Sequence, residues 1–256
     1  MQFDLNYTIS GEGRPFFFQH GLGANVSQPQ GILASLEGVC LISMDCPGHG
    51  QSRLPDAYLP SFSNYSADVI RLMDHIEIPK AIFGGISMGA GISVYMAIHH
   101  PERVEGLVLV RPAWLAAGTP DNLAILLDIA ERLDKPDGQE LFEQSTDFEQ
   151  IRQALPNAAK SILGMFNRDQ QASTSRILSH MVKDAPLASL KELAGISHPT
   201  LVVANQDDPL HPMFMGEEIA SHIPSANLVE VISRYKNNEL HGKQLREAVS
   251  TFLSQL

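Results

Sequence analysis

Predominantly apolar runs at residues 39–44, 81–86, 104–110, 200–204 and 228–232 alternate along this chain with stretches of helical spacing. Strands that are apolar at nearly every position leave no face for water, so they belong in a parallel sheet covered by helices on both sides. Residues 2–9 alternate as a further strand, and 15–19 (Pro-Phe-Phe-Phe-Gln) form a short β-rich run. The spacing predicts helices over 63–77 behind a cap at Ser63, from Ser87 to about His100, and over 240–255. The expected fold class is α/β, with a mostly parallel, doubly wound sheet. A chain of 256 residues is long enough to bury such a core as one unit without disulfide or metal staples.

One stretch breaks the rhythm. Between residues 112 and 190 no convincing strand occurs, and helical patterns are separated by Pro120, Pro136 and Pro156. A parallel crossover needs only about a dozen residues, so this segment reads as an inserted helical lid, or cap. The expected organisation is a core built from 1–111 and 191–256 with the lid at 112–190.

Charge narrows the function. Eighteen Lys plus Arg against 29 Asp plus Glu give a net charge of −11. That balance argues against a nucleic-acid partner, which needs a basic face for phosphates, and against docking on an anionic membrane. Residues 121–153 hold nine acidic and three basic residues, −6 of the total. They read as a solvated helical face, which over a site would disfavour polyanionic substrates. Cys40 and Cys46 sit on one predicted strand and its exit, roughly 20 Å apart when extended and too far for a disulfide. The opening MQFDLNYTIS has neither the basic region nor the apolar run of a signal peptide. Together these features point to the cytoplasm. Oligomeric state stays open between monomer and homodimer.

The strongest chemical signal is Gly85-Ile86-Ser87-Met88-Gly89, a G-x-S-x-G at a strand-to-helix junction. A serine in so sharp a turn projects its hydroxyl above the sheet, and side chains two positions before and after would collide across the turn. The N–H of Met88 then lies at a helix N-terminus, aimed at a developing oxyanion. A second signal, His20-Gly21-Leu22-Gly23, follows the 15–19 run. It is not a dinucleotide fingerprint, because the third small position is Val26, and no phosphate-cradling G-x-x-x-x-G-K-[ST] occurs. No cofactor is implied. Cys46 and His49 are too few ligands for a metal.

The set His20-Gly-Leu-Gly23, Asp45-Cys-Pro-Gly-His-Gly-Gln-Ser52, Gly85-Ile-Ser-Met-Gly89 and His100-Pro-Glu-Arg-Val104 resembles the α/β-hydrolase fold superfamily, in order and over nearly the whole chain. The resemblance implies a triad in the order serine, acid, histidine. Ser87 would be its nucleophile. Asp208 is the acid, from the turn Asn205-Gln-Asp-Asp-Pro-Leu-His-Pro212, with Asp207 as the alternative. Asn205 stands where the family usually has glycine, a mild departure because asparagine tolerates the left-handed conformation. The order implied by the resemblance would make His241 the base, as the histidine after the last strand, although eight residues separate it from that strand and Gly242 follows rather than precedes it. Leu22 and Met88 would form the oxyanion hole, and His20 would brace its loop.

Arg111, at the carboxyl end of the 104–110 run, would either clamp a substrate carboxylate or pair with an acid of the lid or the Asp45 loop. Trp114, with Met88, Leu22, Met165 and Phe166, would line an apolar pocket or form lid core. The implied activity is a cofactor-independent serine hydrolase of carboxylesterase type, acting on an ester, thioester or lactone of a small, partly apolar molecule. C–C bond and enol-lactone hydrolases use the same residues. A slow or non-catalytic small-molecule receptor is the reading from another class.

Overall fold

A computed structural model describes residues 4–116, 118, 120–168 and 171–256. In chain order the elements are β1 (Tyr7–Ser10), β2 (Arg14–Gln19), α1 (Ser27–Leu33), β3 (Val39–Met44), α2 (Phe62–His75), β4 (Ala81–Ile86), α3 (Met88–His99) and β5 (Val104–Val110). There follow α4 (Ala124–Arg132), α5 (Gly138–Glu143), α6 (Thr146–Ala154), α7 (Pro156–Leu163) and α8 (Gln171–Met181). The chain then returns to the sheet with β6 (Thr200–Ala204), α9 (Met213–His222), β7 (Ala226–Glu230) and α10 (Asn238–Leu253). The seven strands lie in the order β1-β3-β2-β4-β5-β6-β7, parallel throughout except that β1 runs antiparallel to β3. No described helix is long and apolar enough to cross a membrane.

The unbroken apolar strands serve two cores. Phe17, Phe83, Leu107, Leu109 and Val202 face the side covered by α2 and α3, while Phe16, Phe18, Ile82, Val108, Val110, Leu201 and Val203 pack with Leu245, Val249 and Phe252 of α10 on the other. Successive side chains point to opposite faces, so strands apolar at nearly every position can do this. α3 is buried along most of its length, and a side chain on Gly91 would run into the Phe62 ring of α2.

Element boundaries differ from expectation for local reasons. α2 starts behind Ser61, whose Oγ accepts from Asn64 N at 3.1 Å, so Ser61 and not Ser63 is the cap. β1 begins at Tyr7, and positions 2 and 3 of the expected strand lie outside the described residues. The last strand pairs over Ala226–Glu230 rather than 228–232 because Ile232 N–H has turned away to Gln244 Oε1, 2.8 Å distant. α10 starts earlier than expected, where Asn237 accepts from Leu240 N at 3.0 Å.

Between β5 and β6 the described residues form helices and no strand. Their apolar faces (Leu126, Ile129, Phe142, Phe148, Ile162, Ile177) are continuous with the core on the α2 and α3 side, and Trp114 meets Phe62 edge-on at 5.4 Å. The acidic residues of 121–153 stay exposed or half-buried.

Candidate active site

The carboxyl ends of β2, β4, β5, β6 and β7 converge on one edge of the sheet, where open α/β sheets hold ligands. Three of the four described non-glycine residues with positive φ lie there: Ser87 (57°), Arg111 (45°) and Asp207 (55°). Such conformations cost about 1–3 kcal/mol each and persist only where the surroundings enforce them.

Ser87 is held by its own N–H, which donates to Val110 O at 2.9 Å. A β-carbon on Gly85 would collide with the Gly89 backbone, as the motif requires, whereas one on Gly89 would strike the Gln19 backbone of β2. Gly85→Ala is therefore expected to cost at least about 2 kcal/mol. For a domain of this size that lowers the melting temperature by about 4–8 °C, and displacement of Ser87 should remove reactivity there. A thermal melt no lower than that of the parent would contradict the tight turn.

The loop after β2 is braced from below. His20 Nδ1–H donates to Gly21 O at 2.8 Å, and its Nε2 accepts from Cys46 N–H at 3.1 Å, a pattern that requires the neutral ring. Gly21 N–H donates to Gln28 Oε1 at 2.8 Å. Asp45 ties the neighbouring segments together, accepting from Val26 N at 2.7 Å, Asn6 Nδ2 at 2.8 Å and Gln51 N at 2.9 Å. A side chain on Gly50 would fall on the Asp45 carboxylate, which explains the glycine in that turn. Among the described residues the N–H groups of Leu22 and Met88 have no acceptor.

Asp208 is buried after β6. Its Oδ1 accepts from His211 Nδ1 at 2.9 Å and from the N–H groups of Leu210 and His211, both at 3.2 Å; its Oδ2 accepts from Arg111 Nη1 at 3.1 Å. Burial pushes its carboxyl up, but His211 and Arg111 outweigh that and hold it well below the usual carboxylate range. Asp207 instead pairs with Lys236 at the surface, at 2.5 Å. The left-handed residue of this turn is Asp207, not Asn205, which takes no positive φ. Arg111 thus makes an ion pair with Asp208 and, among the described residues, with no acid of the 112–190 segment or the Asp45 loop.

The structure does not bring His241 to Asp208. His241 lies in α10, its Nδ1 is 2.7 Å from Ile232 O, and it lines an adjoining hollow with Arg111, Arg234 and Ile86. The histidine on Asp208 is His211, three residues along the same turn. It lines a cavity of about 230 Å³ shared with Leu22, Ser87, Trp114, Leu126 and Met165. Met88 and Phe166 are buried outside that lining; the Phe166 ring lies tilted against that of Phe142, centroids 5.3 Å apart. Trp114 Nε1–H donates to Met181 O at 3.0 Å, fixing the ring in place. Sequence reading also missed Arg168, Arg234 and Tyr235 of the same cavity. Only His211 carried a signal, the Asp-x-x-His spacing that closes on itself within one turn.

Burial lowers the pKa of His20, His49 and His211 alike, against the opposing pull of Asp208 on His211. The unfolded chain takes up protons near pH 6.5 that the folded chain refuses, so stability falls as pH drops below about 6.5, by up to about 1.4 kcal/mol per pH unit for each such histidine. Asp208, depressed in the fold, adds stability above about pH 4 and loses it below. Thermal melts should therefore shift downward from pH 7.5 to pH 5.5, and a flat profile over that range would show these rings to be accessible.

The family profile of the alpha/beta hydrolase fold matches residues 14–235. A 3-oxoadipate enol-lactonase of Acinetobacter baylyi is 26% identical over 98% of this chain and 93% of its own length. Lipase 3 of a Moraxella species is 29% identical over 90% of this chain and 73% of the lipase. Among solved structures, the enol-lactonase from Burkholderia xenovorans superposes with a TM-score of 0.76 at 25% identity, covering 98% of this chain and 96% of that one.

Proposed function

The chain belongs to the alpha/beta hydrolase fold family, and on that premise we propose that it is a cofactor-independent serine hydrolase, cleaving an ester, thioester or lactone of a small, partly apolar substrate through an acyl-enzyme on Ser87. The observation that carries this reading is Ser87 itself, in a strained strand-to-helix turn facing a cavity, next to two backbone N–H groups that have no acceptor among the described residues. The names of the relatives, lactonase and lipase, fit a carbonyl-attacking nucleophile.

Ser87 Oγ attacks the substrate carbonyl as a neutral histidine takes its proton. Negative charge on the former carbonyl oxygen is met by the N–H groups of Leu22 and Met88. Collapse expels the alcohol, thiol or tethered lactone oxygen, which takes the proton from the histidine. Water, activated by the same histidine, then releases the acid. His211 fits the base better than His241: Asp208 accepts its Nδ1–H, which leaves Nε2 as the basic nitrogen, and the ring shares the cavity of Ser87. Burial keeps it neutral. Asp208 orients it and stabilises the imidazolium, while Arg111 pins the other carboxylate oxygen. Trp114 forms apolar wall. The 112–190 segment acts as the lid, a role supported by Leu126, Met165 and Arg168 in the cavity wall. Free Cys40 and Cys46 suit the cytoplasm.

A fluorophosphonate probe should label the protein stoichiometrically, with the adduct on the Ser87 peptide by mass spectrometry. Folded protein that stays unlabelled there would overturn the nucleophile.

A further inference from the structure

The cavity over Ser87 is cationic in a chain that is acidic overall. Arg111, Arg168 and Arg234 line it, and among the described residues no Asp or Glu does. The three differ in what they already hold. Arg111 is committed to Asp208. Arg234 has no carboxylate partner among the described residues; its guanidinium lies 5.4 Å from the Tyr235 ring centroid, and burial together with the like charge of Arg111 holds its pKa down. Arg168, between α7 and α8, lays its guanidinium against Gly23 of the oxyanion loop, where φ is 73° and any side chain would collide with it. Among the described residues it has no ion pair, and burial lowers its pKa to about 10. A desolvated guanidinium without a counter-charge is a cost to the fold. It is offset when the missing charge arrives with a ligand, and a planar guanidinium suits a planar carboxylate.

We propose that the substrate carries a carboxylate, held by Arg168 beside the oxyanion loop while the reacting carbonyl lies over Ser87. This rests on the reading of Ser87 as nucleophile. The acidic helices of 121–153 do not oppose such a substrate, because their carboxylates stand outside the cavity. Arg234 adds to the attractive field.

The test compares mono-4-nitrophenyl adipate with 4-nitrophenyl hexanoate, two esters of equal chain length that differ in one carboxylate. The parent protein should favour the acidic ester, and Arg168→Gln should lower the acidic-to-neutral ratio of kcat/KM by about tenfold or more, with partial rescue by Arg168→Lys. An unchanged ratio overturns the proposal and leaves the hydrolase standing. A binding arm separates the two readings. Ser87→Ala protein should gain melting temperature with millimolar adipate but not with adipamide, and the gain should vanish when Arg168→Gln is added. Adipate-dependent stabilisation without turnover of either ester in the parent would keep the anion site and sink the hydrolase. Equal response to adipate and adipamide would sink the site.

Discussion

Ser87→Ala is expected to lower kcat/KM on 4-nitrophenyl esters by a factor of about 10³–10⁶, the range seen when a serine hydrolase loses its nucleophile but keeps its oxyanion donors. Alanine keeps the β-carbon, so the strain at φ 57° stays and the melting temperature should hold within about 3 °C. The pairing of those two results is the diagnostic: a large loss of rate in an intact fold assigns the loss to the hydroxyl. Retention of more than a tenth of the activity would show that the chemistry runs elsewhere. Substrates of increasing acyl length, with this variant as control, would also report what a cavity of about 230 Å³ accepts.

The second large effect separates two histidines. His211→Ala should cost at least about 10³-fold in kcat/KM, because it removes the only described ring bonded to Asp208. His241→Asn should cost far less, since that ring bonds Ile232 O and faces the adjoining hollow. Asp208 keeps Arg111 in the His211 variant, so one charged partner remains for the buried carboxylate. The pH profile gives an independent readout. Burial lowers the pKa of His211, so the acid limb of kcat/KM should lie below the ordinary histidine value of about 6.5. A loss confined to His241→Asn would instead place the base in α10 and require the loop after β7 to move in the working complex.

Much of this was legible in the residues. Strands apolar at nearly every position demanded a sheet covered twice, and β4, β5 and β6 lie where that pattern put them. Gly85 and Gly89 announced the turn at Ser87 because a turn so tight excludes side chains, a rule of local geometry that sequence states directly. Ser61 was passed over for Ser63 as a cap because two serines within one turn offer the same chemistry, and only the phase of the helix chooses between them.

His241 and Arg168 show where such reading stops. Chain order pointed to the histidine after the last strand, but a triad is a matter of distance. The path of the chain after Ile232 carries His241 away from Asp208, while a three-residue turn delivers His211 to it. Charge shows the same limit. Residues 121–153 hold −6 of the chain's −11, yet the cavity is walled by arginines, because composition counts charges along a segment and folding decides which face of it turns inward. The amino-acid sequence by itself determined the strands of the sheet and the sharp turn at Ser87, features set within a few neighbouring residues. Tertiary structure alone decided that His241 stays away from Asp208 and what sign of charge surrounds the serine, since both depend on where distant elements pack.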